Sequence, residues 1–367
     1  MAQMPRERLP LLALAALALA SGLWAALVRI GWGLPALPLP IAGQHGALMI
    51  SGFLGTLISL ERAVALNWRP AFLPPLFSGL GMVWLIFGLP MEVGRALITL
   101  GALGLTLVFI RIIRLQMATF TIVMGLGAVC WLIGDLVWLA RWPLLNTLPW
   151  WVGFLVLTIA GERLELGRLL RLGKWEQSGF IFSVGVLLAG LLLSLVSLLH
   201  GWALAGLGFV LLGLWLLQFD IARRTVRQTG LPRYIAVCLL IGYGWLILGG
   251  GLWIAFGTLP ASNLLYDAAL HAVLLGFVFS MIFGHAPIIL PALFNRLVTY
   301  TPAFYLPLTA LHLSLILRLT GDLGGWPAGR LWGGLFNVLA VLVFFPLVFI
   351  TLRRAAPSTP PPAKPAR

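Results

Sequence analysis

The sequence predicts an all-α, polytopic membrane protein of twelve transmembrane helices, on three observations. Of its 367 residues 61% are hydrophobic and 9% charged, far from the quarter or so of charged residues in soluble domains. The mean hydropathy is +1.04, and apolar runs of about the 20 residues needed to cross a bilayer recur to the C-terminal end. The basic residues also gather on alternate connections. Spans are expected at 9–31, 41–66, 71–89, 93–113, 118–140, 147–170, 179–199, 202–221, 233–256, 263–290, 302–320 and 328–352.

The charge pattern fixes the orientation. Placing the N-terminus, every even-numbered exit and the C-terminus on one side gathers nineteen of the 24 Lys and Arg residues there, and leaves Arg29, Arg95, Arg141, Arg318 and Arg330 on the other. Lys and Arg collect in short cytoplasmic loops, so both termini are expected in the cytoplasm, with the chain in the plasma (inner) membrane. An odd number of spans would scramble the bias.

The net charge of +14 needs no nucleic-acid partner, because loop arginines facing anionic headgroups account for it and no basic run is interleaved with polar surface. The lipid bilayer is the expected partner, and the oligomeric state leaves no trace in the sequence. The first span follows Arg6 and Arg8 and contains Ala18-Leu19-Ala20, a signal-cleavage pattern. Its apolar run continues to about Arg29, which favours a retained helix. Cys130 and Cys238 lie within spans without a metal or redox motif and read as packing residues. Residues 1–354 form one expected domain, followed by a disordered, Pro-rich tail at 355–367.

Span two carries the most informative residue, His45, in Gln44-His45-Gly46-Ala47-Leu48-Met49-Ile50-Ser51-Gly52-Phe53, and span ten answers with His271 in Asp267-Ala268-Ala269-Leu270-His271. Lipid does not solvate imidazole, so such residues face an interior, a cavity or a cofactor. Under the alternating topology both lie near the outer surface, at similar depth. Two imidazoles from two helices suit the axial positions of a haem, of b type because no C-x-x-C-H attachment sequence occurs. His45, Met49, Gly52 and Thr56 share a face at α-helical spacing, giving a ligand, a soft side chain and small residues beside a flat ring. Asp267 lies one turn before His271 and is placed to orient its second ring nitrogen. The plainer reading is that each histidine is an interhelical hydrogen-bond donor.

These residues resemble known families. His45-Gly46-x-x-Met49-Ile50 is similar to the H-G-x-x-M-I sequence on the second helix of haem-copper oxidase catalytic subunits, and the stretch from Asp267 through His271 to Pro291 looks like their tenth helix. The resemblance implies a subunit I-like twelve-helix bundle with His45 and His271 as haem ligands. It also implies Arg318 and Arg330, at the outer ends of spans eleven and twelve, as partners of the propionates. The likeness is closer to the NnrS family, linked to the nitric oxide response and reported to carry haem and copper. Its H-x-H-E-M-x-x-G-F pattern is matched at His45, Met49, Gly52 and Phe53, whereas Ala47 and Leu48 replace its second histidine and its glutamate.

Copper is the weaker expectation. No His-His or His-Pro-Glu occurs, span six has no histidine and span seven only His200 at its outer end. Copper needs several converging imidazoles or thiolates, so its usual ligands are missing and oxygen reduction at such a centre is not expected.

Toward the cytoplasm lies an inner polar cluster. Glu61 and Arg62 end span two; Glu162, Arg163, Glu165 and Arg168 end span six. Cross-helix ion pairs are expected, as a structural clamp or a proton route. His285 follows His271 by fourteen residues, about 21 Å deeper at 1.5 Å per residue, and Pro287 and Pro291 are expected to kink or end the helix there. His285 is expected to satisfy the carbonyls that the prolines leave over, with a second metal shared with His312 of span eleven as the alternative, and Asp135 of span five is a propionate-side or interfacial acid whose role is open. The leading expectation is a haem b protein that binds a diatomic ligand such as nitric oxide or passes electrons to a redox partner. A twelve-helix secondary transporter without a cofactor is the alternative, and a cofactor-free assembly factor a third.

Overall fold

The computed structural model describes residues 8–35, 41–169, 172–256, 263–294 and 298–354, and among these every regular element is helical. The Pro-rich tail, Arg6 and Arg296 lie outside the described residues. The helices run in order as α1 (Leu9–Ile30), α2 (His45–Leu66), α3 (Leu73–Ile86), α4 (Met91–Leu115), α5 (Thr119–Leu139), α6 (Leu144–Leu166), α7 (Lys174–Ser194) and α8 (Leu198–Phe219). They continue as α9 (Gly230–Phe256), α10 (Leu264–Pro291 in its apolar part), α11 (Tyr305–Leu323) and α12 (Pro327–Arg354). Eleven of them are long and apolar enough to cross a membrane; α3, at 14 residues, is the exception. The protein is a polytopic helical membrane protein.

Burial separates a core from a shell. In α2, α6 and α10 between 72% and 78% of the apolar stretch is buried, against 39% to 56% in the other spanning helices. The three central helices also carry His45, Glu61, Arg62, Glu162, Arg163, His271 and His285. The outer helices pair as antiparallel neighbours through glycine: a side chain on Gly208 of α8 would come within 2.6 Å of the Leu187 Cα of α7.

Two relationships give the helices direction. Arg8 Nη1 donates to the Leu293 carbonyl at 3.1 Å, so α1 begins where α10 ends; this is the Glu61 end of the bundle, and the opposite one is the His45 end. Arg62 of α2 lies over the Phe109 ring of α4, 6.0 Å from its centroid, so α2 and α4 run the same way and α3 joins opposite ends between them.

Neither α2 nor α10 is a regular α-helix. Past His45 the backbone is π-helical over Leu48–Gly55, and past His271 over Ala272–Phe279, each returning to α geometry afterwards. A π stretch carries an extra residue per turn and is frequent at functional sites. The polar groups of each stretch have side-chain partners. Ser78 of α3 donates to the Ser51 carbonyl at 2.6 Å, and Ser280 donates to the Gly276 carbonyl at 2.5 Å.

Of the two outcomes expected at the prolines of α10, a kink or an end, the end is corrected. The helix runs through Pro287 and Pro291 to Phe294, because neighbouring helices and side chains can satisfy the backbone groups that proline leaves over.

Candidate functional site

His45 and His271, 226 residues apart in sequence, face each other at one end of a slot between α2 and α10. Their ring centroids are 6.2 Å apart and their planes 13° from parallel. His45 Nδ1 lies 2.9 Å from the Gly22 carbonyl of α1, and His271 Nδ1 lies 2.8 Å from the carbonyl of Asp267. A carbonyl only accepts, so in both rings Nδ1 carries the proton and a neutral imidazole is left with its lone pair on Nε2. Two unprotonated Nε2 atoms are what a metal held by two imidazoles would require. With each metal–nitrogen bond at about 2.0–2.1 Å, the ring centroids of such a pair stand roughly 6 Å apart.

In the slot, about 620 Å³ of free space, its open mouth included, surrounds a cavity volume of about 50 Å³. Its walls are apolar, from Leu23, Ile30, Met49, Leu274, Phe279 and Val341, with Arg318 and Asn337 as further polar groups. Asn337 had no signal in the sequence beyond being an amide in an apolar run; its Nδ2 donates to the Leu311 carbonyl and to Ser314.

The structure brings Arg318 to the slot but ties it to Asp267, with Nε 3.1 Å and Nη2 2.7 Å from the same carboxylate oxygen, Oδ2. The other oxygen, Oδ1, lies 3.4 Å from His271 Nδ1. Asp267 therefore orients His271 chiefly through its backbone carbonyl, while its carboxylate neutralises the arginine. Arg330 does not line the slot; its Nε stands 3.1 Å from Asp322 Oδ1.

Gly52 is placed differently from the expectation. Met49 lines the slot, but a side chain on Gly52 would meet Met82 at 2.5 Å and Ala18 at 3.1 Å, on the side of α1 and α3. The wider π turn is the reason: it breaks the α-helical spacing by which Gly52 and Thr56 share a face with His45, and Ile50 and Leu54 line the slot instead.

At the Glu61 end Arg62 pairs with Glu162 across α2 and α6, and reaches Glu61 at 3.4 Å. Arg163 takes a partner that sequence reasoning missed. Its Nε and Nη2 donate to the two oxygens of Asp220 at 2.9 and 3.0 Å, and Nη1 lies 3.3 Å from His285 Nε2. The available signal was that Asp220 is the single acid between Glu176 and Asp267. His285 Nδ1 donates to the Met281 carbonyl at 2.8 Å, so its Nε2 accepts from the guanidinium. His312 belongs to a different network, receiving Trp245 Nε1 at Nδ1 (3.0 Å) and facing Ser280 Oγ at 3.4 Å.

Asp135 also acquires partners. Trp151 Nε1 donates to its Oδ1 at 2.8 Å, and Ser51 Oγ, held by Trp131 Nε1 at 3.0 Å, stands 3.5 Å from the same oxygen. This network anchors the π stretch of α2 to α5 and α6. Among the described residues no group of three or more His, Cys, Asp or Glu is arranged to hold a metal ion by itself.

No curated protein matches the chain. The family model described as a domain of unknown function, DUF8744, matches residues 8–353, nearly the whole bundle including both histidines, and the chain belongs to that family.

Proposed function

We propose that this protein is a membrane haem b protein in which His45 and His271 are the axial ligands. The observation that carries the reading is the pair of near-parallel imidazoles with both Nδ1 atoms tied to carbonyls and both Nε2 atoms left for a metal. The residues present fit the group. The slot is apolar, two imidazoles with Nδ1 committed to carbonyls stand with their ring centroids 6.2 Å apart, and the Arg318 guanidinium on its wall suits a carboxylate-bearing edge. A cofactor that brings its own equatorial donors also accounts for a site with only two protein ligands.

When bound, haem supplies a one-electron redox centre. The chain's own residues fix its surroundings: Gly22 and Asp267 hold the two rings in one tautomer, the apolar walls exclude water, and Arg318, neutralised by Asp267, adds a guanidinium to the wall. Held by both His45 and His271, the group would favour electron transfer over binding of a diatomic ligand such as nitric oxide. The resemblance to NnrS proteins and to haem-copper oxidases supports the same reading at the histidines and not at a copper site.

We further propose twelve crossings with both termini in the cytoplasm. The 14-residue α3 and the four-residue 3₁₀ turn before it together reach roughly 29 Å at 1.5 and 2.0 Å per residue, close to the thickness of the hydrocarbon core. The excess of basic residues at the Glu61 end supports that end as the cytoplasmic one.

The test is the absorption spectrum of protein purified from haem-replete cells. A Soret band with about one haem per chain is expected, lost or shifted on His45→Ala and on His271→Ala. A colourless preparation overturns the proposal and favours the transporter reading.

A further inference from the structure

The second cavity of the core lies at the Glu61 end, between α2, α6 and α10, and has no part in holding the histidine pair. About 700 Å³ of free space, its open mouth included, surrounds a cavity volume of about 90 Å³. Most of its wall is aliphatic, and its polar groups are four: Glu61, Thr158, Glu162 and His285. A mostly apolar pocket with a few convergent polar groups is the usual form of a small-molecule site. Glu61 and Glu162 are held from behind by Arg62, and His285 by an Arg163 that Asp220 fixes through both oxygens, while the Thr158 hydroxyl is buried with no partner among the described residues.

We propose that this cavity binds a neutral, membrane-dissolved molecule of the quinone and quinol class, an oxygen-bearing ring on an apolar body. Three features select that chemistry. Glu61 and Glu162 share one guanidinium, Arg62, so the polar edge offers carboxylate acceptors to a ring hydroxyl and repels an anionic head such as a fatty acid or a phospholipid phosphate. His285, with Nδ1 given to the Met281 carbonyl and Nε2 accepting from Arg163, closes the opposite part of that edge as a ring with no free N–H for an anionic head. Ile58, Ile282 and Ile289 of the wall are only partly buried, so the cavity is reached from the bilayer, where such molecules dissolve.

The cavity also adjoins the histidine slot. Leu54 lines both, Phe279 lines the slot and Phe345 the cavity, and Phe53 stands between them with ring centroids 6.5 and 6.1 Å away. Exchange of electrons across this aromatic layer rests on the haem reading above; binding of the ring does not.

The experiment uses the full chain, purified in detergent, and a photoreactive azidoquinone with a decyl tail, competed by decylubiquinone and mapped by peptide mass spectrometry. Saturable labelling of the segments 54–61 and 278–290 is expected. Glu61→Gln is expected to weaken competition about tenfold or more, the effect of losing a hydrogen bond to a charged group. Ile282→Trp, which fills the cavity and leaves the ion pairs in place, is expected to abolish labelling at an unchanged melting temperature. Labelling that does not saturate, maps elsewhere, or survives both substitutions overturns the proposal, as does a phospholipid found in the cavity by cryo-electron microscopy. His45→Ala separates the two readings: it is expected to remove the Soret band and still be labelled. Labelled but colourless wild-type protein would sink the haem reading alone.

Discussion

Arg318 gives both Nε and Nη2 to one carboxylate oxygen of Asp267, at 3.1 and 2.7 Å, and leaves the other oxygen 3.4 Å from His271 Nδ1. Both side chains are almost fully buried, so each charge depends on the other. Removing one member of a buried pair strands its partner and costs about 3–5 kcal/mol, whereas replacing both by apolar residues of similar volume is often close to neutral. Asp267→Leu is therefore expected to lower the melting temperature in detergent sharply. The double variant Asp267→Leu with Arg318→Leu should recover most of that loss. A double variant no better than the single one would show that Asp267 acts mainly on His271 and not on the arginine.

The tautomer argument makes a prediction about rescue. His45→Gly leaves a ring-sized gap beside Gly22, and free imidazole supplied at millimolar concentration is expected to restore the Soret position and intensity of the wild-type protein. N-methylimidazole also carries a lone pair on one nitrogen, but it has no N–H for the Gly22 carbonyl, which His45 engages at 2.9 Å. It should rescue less well, by about tenfold in apparent affinity for a hydrogen bond worth roughly 1–1.5 kcal/mol. Equal rescue by both would remove the role assigned to Gly22.

At the other end, Asp220→Asn is expected to destabilise more than Glu162→Gln. Arg163 and Asp220 are 4% and 1% exposed and joined by two bonds, and Asp220 also accepts the Ala222 amide at 2.7 Å. Glu162 is 15% exposed beside a cavity, and Arg62 keeps Glu61 as a second partner. Losses of about 3–5 kcal/mol and about 1–2 kcal/mol follow from that difference. Chemical denaturation of the two variants in the same micelle measures both.

Glycine contacts in the shell give a paired test. A side chain on Gly208 would press on the Leu187 backbone, which cannot move aside, whereas Gly185 has open space around its Cα. Gly208→Val is expected to part α7 from α8 at a cost of about 1–3 kcal/mol. Gly185→Ala should be neutral or stabilising by up to about 1 kcal/mol, because alanine is the better helix former. Melting curves that rank the two the other way would contradict the helix pairing.

The bundle was legible because hydrophobicity alone dictates membrane helices. The expected run 302–320 lies within the helical run that ends at Leu323, and 233–256 within Gly230–Phe256. The histidine pair was legible too, since imidazole in an apolar helix demands a partner. What the residue order hid was rotation. Gly52 falls on the face of His45 only if the helix is α throughout, and nothing in Leu48–Gly55 marks a π turn; the stretch depends on Ser78, Trp131 and Asp135, which arrive from other helices. Asp220 was missed for a related reason. It ends an apolar run next to Arg223 and Arg224, where an acid reads as loop charge, and only the tertiary fold sets it against Arg163.

The status of α3 decides the topology and can be read by labelling. Cys130 and Cys238 are buried, so single cysteines introduced at Gly88, in the turn after α3, and at Gln116, after α4, report through a membrane-impermeant maleimide on intact cells. If α3 crosses, Gly88→Cys is labelled from outside and Gln116→Cys only after permeabilisation. A C-terminal fusion to green fluorescent protein is then fluorescent. Were α3 to turn back without crossing, the connection at Gly88 would lie on the side of Leu66, and α4 would carry Gln116 to the opposite face. Every later connection would be inverted, setting Arg223, Arg224, Arg227 and Arg233 outside, against the preference of Lys and Arg for the cytoplasmic face. Arg62 stacked over Phe109 at 6.0 Å holds α2 and α4 parallel, so the outcome expected is crossing. Labelling of Gln116→Cys on intact cells would refute it.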